Sequence, residues 1–119
     1  EGPPADDTYG QSSVCRQGVL GRGVQVRLYD PTNITPPAFA DFVLNLAQQH
    51  NIAHQATVRR TGGTDAGAAY PHWHGTPSIV FGVPTRYIHA HNGILDARDL
   101  QATVELTLKV IQNIASYGK

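Results

Sequence analysis

Val24-Gln25-Val26-Arg27-Leu28-Tyr29, closed by Asp30-Pro31, is the stretch on which the reading of the fold turns. Apolar and polar positions alternate along it, which is the period-two pattern of a strand. Asp30-Pro31 then closes it, because proline has no amide to give to a sheet ladder. Downstream, Thr35 stands where a cap is wanted and Pro36-Pro37 where a helix opens. Phe39, Phe42, Val43 and Leu46 recur at helical spacing and give that helix one apolar face. Asn51 is placed to end it. His54 to Arg60 reads as a second strand. Strands alternating with helices argue for an α/β layered sheet.

The pattern continues in both directions. After the second strand comes Thr61-Gly62-Gly63-Thr64-Asp65-Ala66-Gly67, then a short helix broken at Pro71. Ser78 to Val83 reads as a third strand. Pro84 to His91 and a short Ile94-Leu95 run lead to a last helix, with Asp96 as its cap and Asp99 in its first turn. Leu100, Val104, Leu108, Ile111 and Ala115 are expected to form its inward stripe. Residues 1 to 23 are rich in Gly, Pro, Asp and Ser and read as an irregular lead-in ending in the Gly21-Arg22-Gly23 turn. In open α/β sheets, ligands sit beyond the carboxyl ends of parallel strands. Asp30, the Gly62–Gly67 loop and the Arg86–His89 segment therefore share one rim if the three strands run parallel.

A chain of 119 residues fits one small domain or a part of one. Nine acidic and nine basic side chains balance, so nothing in the charge points to nucleic acid or an anionic membrane. Arg59-Arg60 reads as a solvated strand end. The single cysteine, Cys15, forms no internal disulfide, which fits a reducing compartment, and reads as an inert thiol. There is no methionine, so the sequence is expected to begin downstream of its natural start, as a fragment or after loss of a targeting peptide. No signal segment and no long apolar run is present, and the visible chain reads as soluble.

Three groups of residues bear on chemistry. The Gly62–Gly67 turn precedes a helix, where glycines permit close backbone approach and free N–H groups face an anion. The plainer reading is a tight turn capped by Thr64 or Asp65, and the loop lacks the lysine and spacing of a phosphate loop. His72-Trp73-His74 and His89-Ala90-His91 are H-x-H triplets; in a strand each pair shares a face and can chelate, although catalytic zinc wants three or more protein ligands. Surface histidines are the plainer reading. Glu1, Asp6 and Asp7 offer hard carboxylate ligands in a loop, or are solvated. Cysteine clusters, H-E-x-x-H and G-x-S-x-G are absent, which removes zinc fingers and α/β-hydrolases.

The string T-G-G-T-D-A-G, then G-T-P-S-I-V-F-G-V-P-T-R-Y-I-H, then the acid-capped last helix, resembles the TET-type (tetrahedral) aminopeptidases of the glutamyl aminopeptidase group. These are co-catalytic metallopeptidases, often mislabelled endoglucanases or cellulases. The resemblance covers nearly the whole chain. E-G-P-P-A-D-D-T-Y-G at residues 1 to 10 and L-G-R-G at 20 to 23 match two further family stretches, with Tyr9 in place of a usual proline.

The resemblance implies a zinc-peptidase-like (phosphorylase/hydrolase-like) three-layer sheet-and-helix domain, of which residues 1–119 are the C-terminal portion. It makes Glu1 and His89 metal ligands, and it puts Gly63, Thr64, Asp65 and Arg86 on the substrate side. Two divalent metals, zinc or cobalt, hold a bridging water; a glutamate general base and the remaining ligands are expected outside these residues, so no catalytic residue is assigned within them. The implied parent is a cytoplasmic aminopeptidase acting on peptides. The chain by itself is expected to be inactive, and to self-associate or pack against the missing N-terminal part. The alternative is a natural short pseudo-enzyme serving as a binding or assembly module. A carbohydrate hydrolase needs two facing carboxylates in a sugar cleft, and no such aromatic-lined pair is seen.

Overall fold

The computed structural model describes residues 1–118. The Cys15 side chain, expected to be an inert thiol, lies outside the described residues. The fold is α/β, a four-stranded mixed sheet with helices packed on one face. In chain order the elements are β1 (Val24–Asp30), β2 (Asn33–Ile34), α1 (Pro37–Gln49), β3 (His54–Val58), α2 (Ala66–Ala69), β4 (Val80–Gly82) and α3 (Ala97–Asn113). Among the described residues, no helix is long and apolar enough to cross a membrane.

β1 is the central strand. It pairs with β3 in parallel, Val24 beside His54 and Val26 beside Ala56. On its other edge it pairs antiparallel with both β4 and β2. The two faces of β1 differ in chemistry. Val24 and Val26 are fully buried against Phe39, Val43, Leu46, Ala102 and Leu106, so α1 and α3 share one face of the sheet. A side chain buried as completely as Val43 contributes about 1.5–3 kcal/mol. Gln25 and Arg27, offset by one residue, point to the opposite face. There Gln25 donates to Pro4 O, and Gln55 to Val19 O, so the irregular lead-in covers that face.

Helix α1 forms where its apolar spacing placed it. Pro36 is its N-cap, Pro37 opens it, and Asn51 follows its end with φ of 54°, a left-handed residue that stops the helix. Thr35 is not the cap: its hydroxyl donates to Arg27 O across the β1–β2 hairpin. α3 opens as expected, with Asp96 accepting from the Arg98 amide.

Two expectations are corrected. β4 runs antiparallel to β1, with Gly82 opposite Gln25, so its carboxyl end lies near the amino end of β1. Parallel strand ends therefore do not put the Arg86–His89 segment on one rim with Asp30 and the glycine loop. In α3 the inward residues are Asp99, Ala102 and Leu106, while Leu100, Val104, Leu108 and Ile111 are exposed. The reason is local. Asp99 accepts the Gly21 and Gly23 amides, at 2.7 Å each, and so fixes its own face against the sheet.

Candidate functional site

A cavity of about 350 Å³ is lined by Glu1 to Pro4, Arg27, Thr61 to Thr64, Ile88 and His89. That volume is within the range of small-ligand sites. Three separate stretches reach it. The first five residues run beside the end of β4: Val83 N donates to Glu1 O, Thr85 N to Pro3 O, and Ala5 N to Thr85 O. This ladder holds Glu1 at the cavity wall. His89 arrives through a reversal of the chain closed by an Arg86–Ile94 bridge. Both Tyr87 and His89 are left-handed, with φ of 63° and 61°. Such residues cost about 1 kcal/mol or more and persist where surrounding structure enforces them.

The third stretch is the glycine loop, and its glycines serve a close approach. A Cβ on Gly63 would come within 2.6 Å of Thr32 Cγ2, and one on Gly67 within 2.6 Å of Thr32 Cβ. The loop therefore lies directly on Thr32, which no larger residue at either position permits. α2 is only four residues long, and Asp65 precedes it without a side-chain cap bond. The tight-turn reading describes this loop. Thr64 faces inward and its hydroxyl donates to Asp30 Oδ2 at 3.1 Å.

Arg27 is the residue that sequence reasoning passed over. It is 6% exposed and lines the cavity. One guanidinium nitrogen donates to Asp30 Oδ2 at 3.3 Å, but its buried Nε has no partner among the described residues. A buried charged donor left unpaired is costly unless something meets it. In the sequence Arg27 is one polar position of an alternating strand, and its burial shows only once β1 is folded. Asp30 is 1% exposed. Burial alone raises its pKa, but hydrogen bonds from Thr32, Thr64 and Arg27 outweigh this and hold it below the ordinary 3.8.

Other candidates lie elsewhere. Asp65 lines a neighbouring cavity of about 520 Å³, with Phe39, Ala66, Ala69 and Pro77 to Phe81, which meets the first at Glu1. Arg86 is held by Asp7 and is not part of the cavity wall. Asp6 pairs with Arg59, so neither lead-in aspartate is a free carboxylate, and Arg59 is not a solvated strand end. His72, His74, His89 and His91 are all exposed and stand in turns, not strands, so neither triplet has the common face that chelation needs.

Glu1 and His89 bring one carboxylate and one imidazole to the same cavity, a donor chemistry suited to zinc or cobalt. Among the described residues, no three His, Cys, Asp or Glu side chains gather to hold a metal. The pair fits a share of a divalent-metal site, not the whole of one.

Comparison with known proteins shows the family to which the chain is similar. The pattern of the M42 glutamyl aminopeptidase family matches residues 2–106. The glutamyl aminopeptidase of Lactococcus lactis subsp. cremoris (strain MG1363) is 41% identical over 100 residues, which cover 83% of this chain and 27% of that protein. The TET aminopeptidase of the marine sediment archaeon Thaumarchaeota archaeon SCGC AB-539-E09 superposes with a TM-score of 0.91 at 32% identity, over 96% of this chain and 32% of that one. The TET1 peptidase of Pyrococcus horikoshii, which can assemble into a tetrahedron or a large octahedral shell, gives a TM-score of 0.69 at 29% identity, over 77% of this chain and 27% of that one. The chain thus spans about a quarter to a third of the length of these relatives.

Proposed function

This chain belongs to the M42 glutamyl aminopeptidase family, and from that premise we propose that residues 1–119 form the C-terminal portion of the catalytic domain of a cytoplasmic metallo-aminopeptidase. The complete enzyme removes N-terminal residues from peptides. Glu1 and His89 are two of its metal donors, and the other ligands and the general base come from outside these residues. When bound, two zinc or cobalt ions supply an activated water and polarise the scissile carbonyl. This chain's own task is the substrate side. The Gly62–Thr64 loop lines the cavity it shares with Glu1 and His89, with Asp65 at the neighbouring wall. Arg86 keeps the lead-in that carries Glu1 in place.

The observation that carries the reading is the convergence of Glu1, His89 and Arg27 on one cavity. Arg27 adds a substrate class. A guanidinium in the cavity wall is suited to a carboxylate, because guanidinium and carboxylate match in geometry and charge. We assign it to the side chain of an acidic first residue.

The test is hydrolysis of glutamyl and leucyl p-nitroanilide by the complete polypeptide carrying these residues, with added zinc or cobalt. Chelator-sensitive turnover that favours the glutamyl substrate is expected. No turnover with either metal sinks the enzyme reading. The exposed apolar stripe of α3 favours a second reading, a short pseudo-enzyme that binds or assembles. That reading gains if the intact mass of the natural product equals these residues alone.

A further inference from the structure

The structure assigns Asp30, acting with Thr32, as the positioning residue that holds both Arg27 and the glycine loop in the cavity wall. The inference rests on reading that cavity as the pocket for an acidic residue. Asp30 Oδ1 accepts from Thr32 N at 2.8 Å, Thr32 Oγ1 at 2.6 Å and Asn33 N at 3.1 Å. Its Oδ2 accepts from Arg27 at 3.3 Å and from Thr64 Oγ1 at 3.1 Å. Thr32 Oγ1 in turn accepts the Thr64 amide at 3.2 Å. One buried carboxylate therefore ties the end of β1, its turn, the cavity's cation and the loop opposite it.

The arrangement has a directional consequence. Asp30 takes one nitrogen of Arg27 and leaves Nε unpaired. A carboxylate partner on one side of a guanidinium restricts its rotation, so its remaining donors are presented in one direction. Asp30 touches no reacting atom. Its effect passes through Arg27 and Thr64, and it belongs in substrate binding and selectivity more than in turnover.

The experiment uses the complete polypeptide and two variants, Asp30→Asn and Thr32→Val. The second keeps the shape on which Gly63 and Gly67 rest and removes only the hydroxyl, so it covers the case in which Asp30→Asn does not fold. KM and kcat are measured for glutamyl and leucyl p-nitroanilide. Amide exchange is followed over Gly62–Gly67 and over α1. The expected result is a rise in KM for the glutamyl substrate of about tenfold, little change in kcat, and a smaller rise in KM for the leucyl substrate. Exchange quickens in the loop and not in α1, and Thr32→Ser restores the protection. Equal losses with both substrates, or unchanged loop exchange, would overturn the assignment. If the unaltered polypeptide hydrolyses nothing, the aminopeptidase reading fails. Loop exchange then still decides whether Asp30 and Thr32 hold the loop.

Discussion

Arg86 Nε stands 2.6 Å from Asp7 Oδ1, with the Asp7 carboxylate almost wholly buried. The hydrogen bond from Arg86 holds the Asp7 carboxyl below its ordinary 3.8; burial opposes this, and the Leu20 amide adds to it. The pair joins the lead-in to the segment after β4, and so sets where both Glu1 and His89 come to rest. Arg86→Gln and Asp7→Asn should each lower the urea midpoint, and the double variant should fall by less than their sum, because each removes the same bond. Additive losses in that cycle would show that the two side chains act independently.

Asp99 is the second fixed point of the fold. Its two carboxylate oxygens accept the Gly21 and Gly23 amides from a residue 1% exposed. Asp99→Ala strands the buried Gly23 amide and takes the partner from the Gly21 amide at the surface. A loss of about 1–3 kcal/mol is expected, read as a lower denaturation midpoint. A loss within a few tenths of a kcal/mol of zero would mean that water replaces the carboxylate freely.

These two carboxylates also explain what the sequence made legible. β1, α1 and β3, and the start of α3 at Asp96, follow from local periodicity and caps, and they stand where the residues put them. The antiparallel course of β4 depends on a distant partner, and three residues carry no sign of direction. The face of α3 was misread because size was taken to decide it. Asp99, Ala102 and Leu106 lie three and four residues apart, on one face, and the hydrogen bonds of Asp99 choose that face over the larger apolar stripe. Glu1 and His89 came from family motifs. Arg27 stood in plain view, but only the folded strand shows that its surroundings are buried.

Acid should weaken the fold through the lowered carboxyls. Asp7 and Asp30 are held below 3.8, and Asp96 falls to about 2, chiefly through hydrogen bonds from Arg98. In the unfolded chain these groups bind protons at higher pH than in the folded one. Their stabilisation is therefore present above 3.8 and is lost as pH falls through each folded pKa. Thermal midpoints should be level above about pH 5 and drop steadily towards pH 2. Asp30→Asn should make that decline shallower. A midpoint insensitive to acid down to about pH 2 would contradict the assigned directions.

Replacing Arg27 by methionine tests the substrate class without leaving a gap, since methionine fills similar space. With the complete polypeptide, the preference for glutamyl over leucyl p-nitroanilide should fall by about tenfold or more. The fall should appear in KM. An undiminished preference would move the acidic pocket elsewhere.

Leu100, Val104, Leu108 and Ile111 are 46%, 53%, 52% and 65% exposed along one side of α3. They follow at steps of four, four and three residues, so they form a continuous stripe and not scattered contacts. The same helix buries its other face through Asp99, Ala102 and Leu106, so it cannot rotate to hide the stripe without releasing the Gly21 and Gly23 amides. Single exposed apolar residues are ordinary, but a contiguous patch marks a surface meant to be covered. Residues 1–119 alone should therefore elute larger than a monomer. Leu108→Lys together with Ile111→Lys should restore monomeric elution with helix content unchanged, because neither side chain is part of the buried core. Monomeric elution of the unaltered chain, with a sharp unfolding transition, would mean that the stripe tolerates water and that α3 needs no partner.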